Sequence, residues 1–247
     1  MLQRVLISTL SILAFSAAAL HADPKDDIQA AIQKLADGGN YSWTRTIQGG
    51  FGRGPQDGKT QKDGLTWLSI QMRDNSFEVI TKGDKAAVKT DDGWKSKEEL
   101  TAAAAGDDGG GPPSPERMLL FVVQGLKTPA EMGKDLAGKL DNVQKTDDGY
   151  SADLTPDAAK EQLMFRPRRP TTTPDANAPV VEVSNAKASI KISIKDGDVT
   201  KFELHVTGTR SFNGNDRDVD QTITTEIKDV GTTKIDVPAD AKAKLGA

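Results

Sequence analysis

The chain has 247 residues, no cysteine, two histidines, and 32 basic against 36 acidic residues, for a net charge of −4 at pH 7. The missing cysteines exclude disulfides, thiolate chemistry and a lipidation cysteine. The mild acidity and an aromatic share of 5% disfavour nucleic acid as a main partner.

The first 22 residues have the layout of a secretory signal peptide. Arg4 precedes an apolar or small run from Val5 to Leu20, and Leu20-His21-Ala22 offers small residues for cleavage after Ala22. The run is too short to span a bilayer comfortably. Residues 23–247 are therefore expected to form one periplasmic or secreted domain, with no transmembrane segment left after cleavage.

Asp23-Pro24 reads as a helix start, with Ile28, Ala31, Ile32 and Leu35 at helical spacing and Gly38-Gly39 as the stop. Tyr41, Trp43 and Ile47 alternate with Ser42, Thr44 and Thr46 in a strand. Residues 49–64 read as a Gly-rich polar loop. Leu68, Ile70 and Met72 mark the next strand, and Phe77 and Val79 the one after it. Gly83-Asp84 and Asp92-Gly93 supply turns, with Ala86 and Val88 between them.

The middle is helical. Lys97 to Ala105 is Ala-rich, and residues 106–114 form a flexible Gly/Pro loop. Ser114-Pro115 starts a helix holding six consecutive apolar residues, Met118, Leu119, Leu120, Phe121, Val122 and Val123. Such a run predicts burial on several sides. Thr128-Pro129-Ala130-Glu131 is a capping box, with a helix expected to about Leu140. A hairpin at Asp148-Gly149 and a helix from Thr155-Pro156 to near Phe165 follow. Residues 166–179 hold four prolines and three threonines, an extended or mobile loop. The last strands carry Ile190, Ile192 and Ile194; Phe202, Leu204 and Val206; Val219, Ile223 and Ile227; and Ile235 and Val237. Their other face is wet, with Lys191, Ser193, Lys201, Glu203 and His205.

This order of elements resembles the LolA-like superfamily of bacterial envelope proteins, which includes lipoprotein carriers and LppX-type lipid-binding proteins. Two stretches carry the resemblance. One is TWLSIQMRDNSFEVITKGDKAAVKTDDGWKS, from Thr66 to Ser96, in the stretch that opens at Leu65 and includes Trp94. The other is EIKDVGTTKIDVPADAKAKL, from Glu226 to Leu245. The resemblance implies an α+β fold: a strongly curved antiparallel sheet, an unclosed β-barrel, with helices packed on its concave face. It also implies a lid-holding arginine, and Arg73 is the position that matches. Alternation places Arg73 with Ser69 and Gln71, so either a bulge re-aims it or it is a surface arginine.

Residue chemistry argues against catalysis, and no enzyme activity or cofactor is expected. His21 leaves with the signal peptide, and His205 falls on the wet face. There is no Gly-x-Ser-x-Gly elbow. Asn213 to Asp220 is rich in oxygen ligands, but Arg217 stands where a calcium ligand is wanted and no Glu closes the loop. The remaining carboxylates fall mostly in Asp-Gly turns. Arg166, Arg168 and Arg169 form the one basic cluster, suited to an anionic contact or simply solvated.

The remaining candidate is the apolar interior. Tyr41, Trp43, Leu68, Ile70, Met72, Phe77, Val79, Ile192, Phe202 and Leu204 are expected to line the concave face, with Leu119, Leu120, Phe121, Val122 and Val123 lying across it. Two outcomes stand open: a groove for a lipid or lipoprotein acyl chain under a helical lid, or a filled core in a scaffold that binds another envelope protein.

Overall fold

A computed structural model describes residues 23–49, 54–72, 75–105, 114–164, 181–212 and 214–246. The expected signal peptide (residues 1–22), Arg73, Arg166, Arg168, Arg169, residues 50–53 and 106–113 and the whole expected 166–179 loop lie outside the described residues.

The chain runs α1 (Pro24–Gly38), β1 (Tyr41–Gly49), β2 (Gln56–Thr60), β3 (Leu65–Met72), β4 (Asn75–Lys82), β5 (Lys85–Thr90) and β6 (Gly93–Ser96). Three helices follow: α2 (Lys97–Ala104), α3 (Pro115–Gly125) and α4 (Pro129–Ala137). Then come β7 (Leu140–Thr146), β8 (Gly149–Leu154), α5 (Pro156–Leu163), β9 (Val181–Lys195), β10 (Asp198–Phe212), β11 (Asn215–Lys228) and α6 (Ala239–Leu245).

All eleven strands form one antiparallel sheet in the order β6-β5-β4-β3-β2-β1-β11-β10-β9-β8-β7. The first strand pairs with the last, Trp43 opposite Ile227. Two meanders therefore run outward from a central β1–β11 seam. Their free ends, β6 and β7, are the edges, so the barrel is unclosed. The segment α2-α3-α4 connects those two edges. One continuous hydrophobic cluster runs along the inner face, from Val88 of β5 to Tyr150 and Leu154 of β8.

Local chemistry explains where the helices begin. Pro24, Pro115, Pro129 and Pro156 occupy first-turn positions behind Asp23, Ser114, Thr128 and Thr155, each of which accepts a backbone N–H. Ser96 with Glu99, and Thr128 with Glu131, close reciprocal capping boxes. Helix α1 is pinned from both ends: the Tyr150 hydroxyl donates to Asp27 Oδ2 at 2.5 Å, and Lys34 bridges Asp198 at 3.0 Å.

The structure departs from expectation in five places. Residues 56–60, expected within a loop, form β2, bonded to both β1 and β3. Ile235 and Val237 belong to no strand. They pack instead against Leu65, Ile80, Ala87, Ala241 and Leu245, a second core on the opposite face of the sheet. Helix α6 thus lies on the convex side, tied to α2 by the Lys244–Glu99 ion pair at 2.6 Å. Helix α4 stops at Ala137, and Leu140 already begins β7. Helix α3 is not buried all round: Leu119 and Leu120 are buried, whereas Met118 is 40% exposed. Its outer side meets no second layer among the described residues.

Candidate ligand groove

Antiparallel pairing sorts the middle of the concave face into three transverse rows. The first is Val88, Val79, Leu68, Gly58, Trp43 and Ile227. The second is Phe77, Ile70, Gln56, Arg45, Thr225, Phe202, Ile192 and Tyr150. The third is Ile47, Ile223, Leu204, Ile190 and Ala152. Directly opposed residues share a face, so each row is a continuous strip across the sheet.

Most of the expected groove residues come together here. Tyr41, Trp43, Leu68, Ile70, Val79, Leu119, Leu120, Ile192, Phe202 and Leu204 are buried in one cluster, with Phe77, Val122 and Val123 packed against it. Phe121 is half-buried and outside that cluster. Met72 ends β3, but its side chain lies outside the described residues.

Two glycines make the packing possible. A Cβ on Gly58 would come within 2.1 Å of the Trp43 ring, so the indole occupies the space over β2. A Cβ on Gly133 would meet Phe202 at 3.1 Å and Ile32 at 3.2 Å, so α4 packs close to both. The Tyr41 ring lies tilted at 51° to Trp43, 5.7 Å away, and its hydroxyl accepts the Ala130 N–H at 3.2 Å. Burial raises the Tyr41 pKa. The hydrogen bond to Asp27, followed by burial, pushes Tyr150 up to about 12.

Helices α3 and α4 approach the sheet less closely than α1, α2 and α5 do. α1 closely approaches β10 and β7, and α5 closely approaches β9 and β10. The close backbone neighbour of α3 is α2. Its Glu116 reaches Lys95 of β6 at 3.9 Å, long for an ion pair. A cleft of about 490 Å³ opens at its C-terminal end, lined by Val123, Gln124 and Leu126 on one side and Thr66, Thr81 and Lys85 on the other. A second cleft of about 220 Å³ reaches Tyr41 and Ala130. The two share Gly64, Thr66, Thr128 and Glu131. A wide depression of about 630 Å³ lies elsewhere, at the β7–β8 and β9–β10 turns, among Asp148, Lys195, Lys201 and Lys228.

Sequence reasoning missed one residue on the concave face. Arg45 follows Tyr41 and Trp43 in strict alternation and stands as the one charged side chain in the three rows. It is half-buried, and its guanidinium donates to Thr225 Oγ1 at 3.4 Å and to Met132 Sδ of α4 at 3.8 Å. Burial pushes its pKa down. The alternation already in hand was the signal that would have found it. His205, by contrast, lies on the outer face as expected, 2.9 Å from Asp220.

No family model and no curated protein matches the chain. Among solved structures it is similar to LprF from Mycobacterium bovis, at 9% identity and a TM-score of 0.45, over 88% of this chain and 97% of that one. A likeness that remote carries no argument about ligand or activity. The architecture itself is an unclosed antiparallel sheet with five of six described helices on one face. No helix among the described residues is long and apolar enough to cross a membrane.

Proposed function

We propose that the protein is a non-catalytic periplasmic or secreted binding protein. It takes a lipid, a lipoprotein acyl chain or another hydrophobic ligand between the concave sheet and α3. The observation that carries this reading is how α3 is held. Its Leu119 and Leu120 are buried in the same cluster as Leu68, Ile70 and Val79, with Val122 and Val123 packed against that cluster, yet α2 is its close backbone neighbour, and a cleft opens at its C-terminal end. A helix attached mainly by side chains can lift without breaking the sheet. An acyl chain that replaces those contacts gains about 0.8 kcal/mol per buried methylene.

The test is to extract the purified protein with organic solvent and identify co-purified lipid by mass spectrometry. Stoichiometric acyl lipid supports the reading. A lipid-free extract from protein made in a lipid-replete host contradicts it.

A second reading, a protein-binding scaffold of the envelope, draws on a separate observation. Ten of the expected groove residues are already buried at 8% exposure or less, as in a permanently filled core. It implies α3 amide exchange as slow as that of α1, and no uptake of any lipid.

A further inference from the structure

The concave face holds one feature that neither packing nor a purely apolar ligand explains. Arg45 projects from the middle of the central row, between Gln56 of β2 and Thr225 of β11, and is the one charged side chain in the three rows. A guanidinium carries five N–H donors and stays charged at any ordinary pH. Here its partners are a neutral hydroxyl at 3.4 Å and a thioether at 3.8 Å. The first is long for a hydrogen bond, and the second involves a weak acceptor. Among the described residues no carboxylate forms an ion pair with it, although the molecule pairs many of its surface lysines. A partly desolvated charge without a counter-ion is unfavourable.

The surroundings are those of a recognition point. Thr225 is fully buried and polar, and the half-buried Gln56 amide lies directly opposite Arg45 on β2. Together the three supply N–H and O–H donors on one patch. Apolar side chains extend from that patch in both directions along the row: Ile70 and Phe77 toward α3, and Phe202 and Ile192 toward β8. Arg45 keeps part of its surface accessible, so an incoming group can reach it.

We propose that Arg45, with Gln56 and Thr225, binds the anionic head group of an acyl-chain lipid, a carboxylate or a phosphate, whose chain lies along the apolar row beneath α3. This rests on the hydrophobic-ligand reading above and adds the chemistry of the head. Charge-assisted, forked hydrogen bonds from arginine to such oxoanions are strong and geometrically selective. They would satisfy donors that the protein itself leaves weakly engaged.

The test uses the delipidated full-length protein and three probes: a fluorescent long-chain fatty acid, its methyl ester, and a monoacyl phosphate as competitor. Wild type is expected to bind the acid at least about tenfold more tightly than the ester, the worth of a charged hydrogen bond. Arg45→Met and Arg45→Gln should lose the preference for the acid over the ester. Arg45→Lys should restore part of it, which a merely structural role would not produce. Displacement of the acid by the monoacyl phosphate, in wild type but not in Arg45→Met, assigns the head as phosphate. Failure of that displacement, with the acid preference intact, assigns it as carboxylate. Equal binding of acid and ester by wild type, or an acid preference that survives in Arg45→Met, overturns the proposal while leaving the hydrophobic-ligand reading in place. Binding of neither probe overturns both.

Discussion

Arg45 and the two tyrosines are the residues whose environments have measurable consequences. A charge held out of water without a counter-ion weakens the ligand-free fold. Arg45→Met should therefore raise stability by about 1–3 kcal/mol in the absence of lipid, read as a higher denaturant midpoint. An unchanged or lower midpoint would mean that Thr225 and Met132 already compensate the charge. The chain has only two tyrosines, and both resist ionisation, Tyr41 through burial and Tyr150 chiefly through its hydrogen bond to Asp27. Tyr150 has a folded pKa of about 12, above the ordinary value of about 10. Its contribution to stability is complete below pH ~10 and is lost as the pH rises toward ~12, where the unfolded chain releases the proton first. An ultraviolet titration should show no tyrosinate step near pH ~10 in the folded protein. Asp27→Asn should bring one tyrosine down. Tyr41 and Trp43 were legible as inward residues from alternation alone. The importance of Arg45 was not, because an arginine between threonines looks like ordinary strand surface until its partners are known.

At the scale of elements, α-helices were legible and β2 was not, for a physical reason. Proline and capping residues announce a helix start within its own sequence. β2 reads Gln-Asp-Gly-Lys-Thr and has no apolar alternation of its own; its inward position is filled by the Trp43 ring of the neighbouring strand. Gly58 is therefore a packing residue, and Gly58→Ala should cost about 2–3 kcal/mol, a severe overpacking, with a shift in Trp43 fluorescence. Gly133→Ala, with contacts of 3.1–3.2 Å instead of 2.1 Å, should cost less. Equal stability of the wild type and both variants would contradict this packing account. The misreading of Ile235 and Val237 has the same origin. Their alternation reflects burial against the convex face under α6, and alternation alone does not distinguish packing from strand pairing. For α3 the apolar run was visible, but its one-sided burial depends on which elements cover it. Hydrogen exchange should find α3 amides faster than those of α1, which is pinned by Tyr150 and Lys34. Equal protection would favour the filled-core scaffold.

For the whole molecule, the sequence order already implies two meanders separated by a helical segment. What it does not contain is the seam. The pairing of Tyr41–Gly49 with Asn215–Lys228 joins strands at opposite ends of the chain, and no local signal encodes such a contact. That seam places β6 and β7 at opposite edges and leaves α2-α3-α4 to cross the concave side. The most direct measurement is a titration of delipidated protein with a fluorescent long-chain fatty acid. The expected result is saturable binding with a blue-shifted probe, abolished when Leu119 and Val123 are replaced by aspartate in a variant that remains folded by circular dichroism. No saturable signal at protein concentrations well above those needed for detection would contradict the account and leave a protein with a permanently filled core.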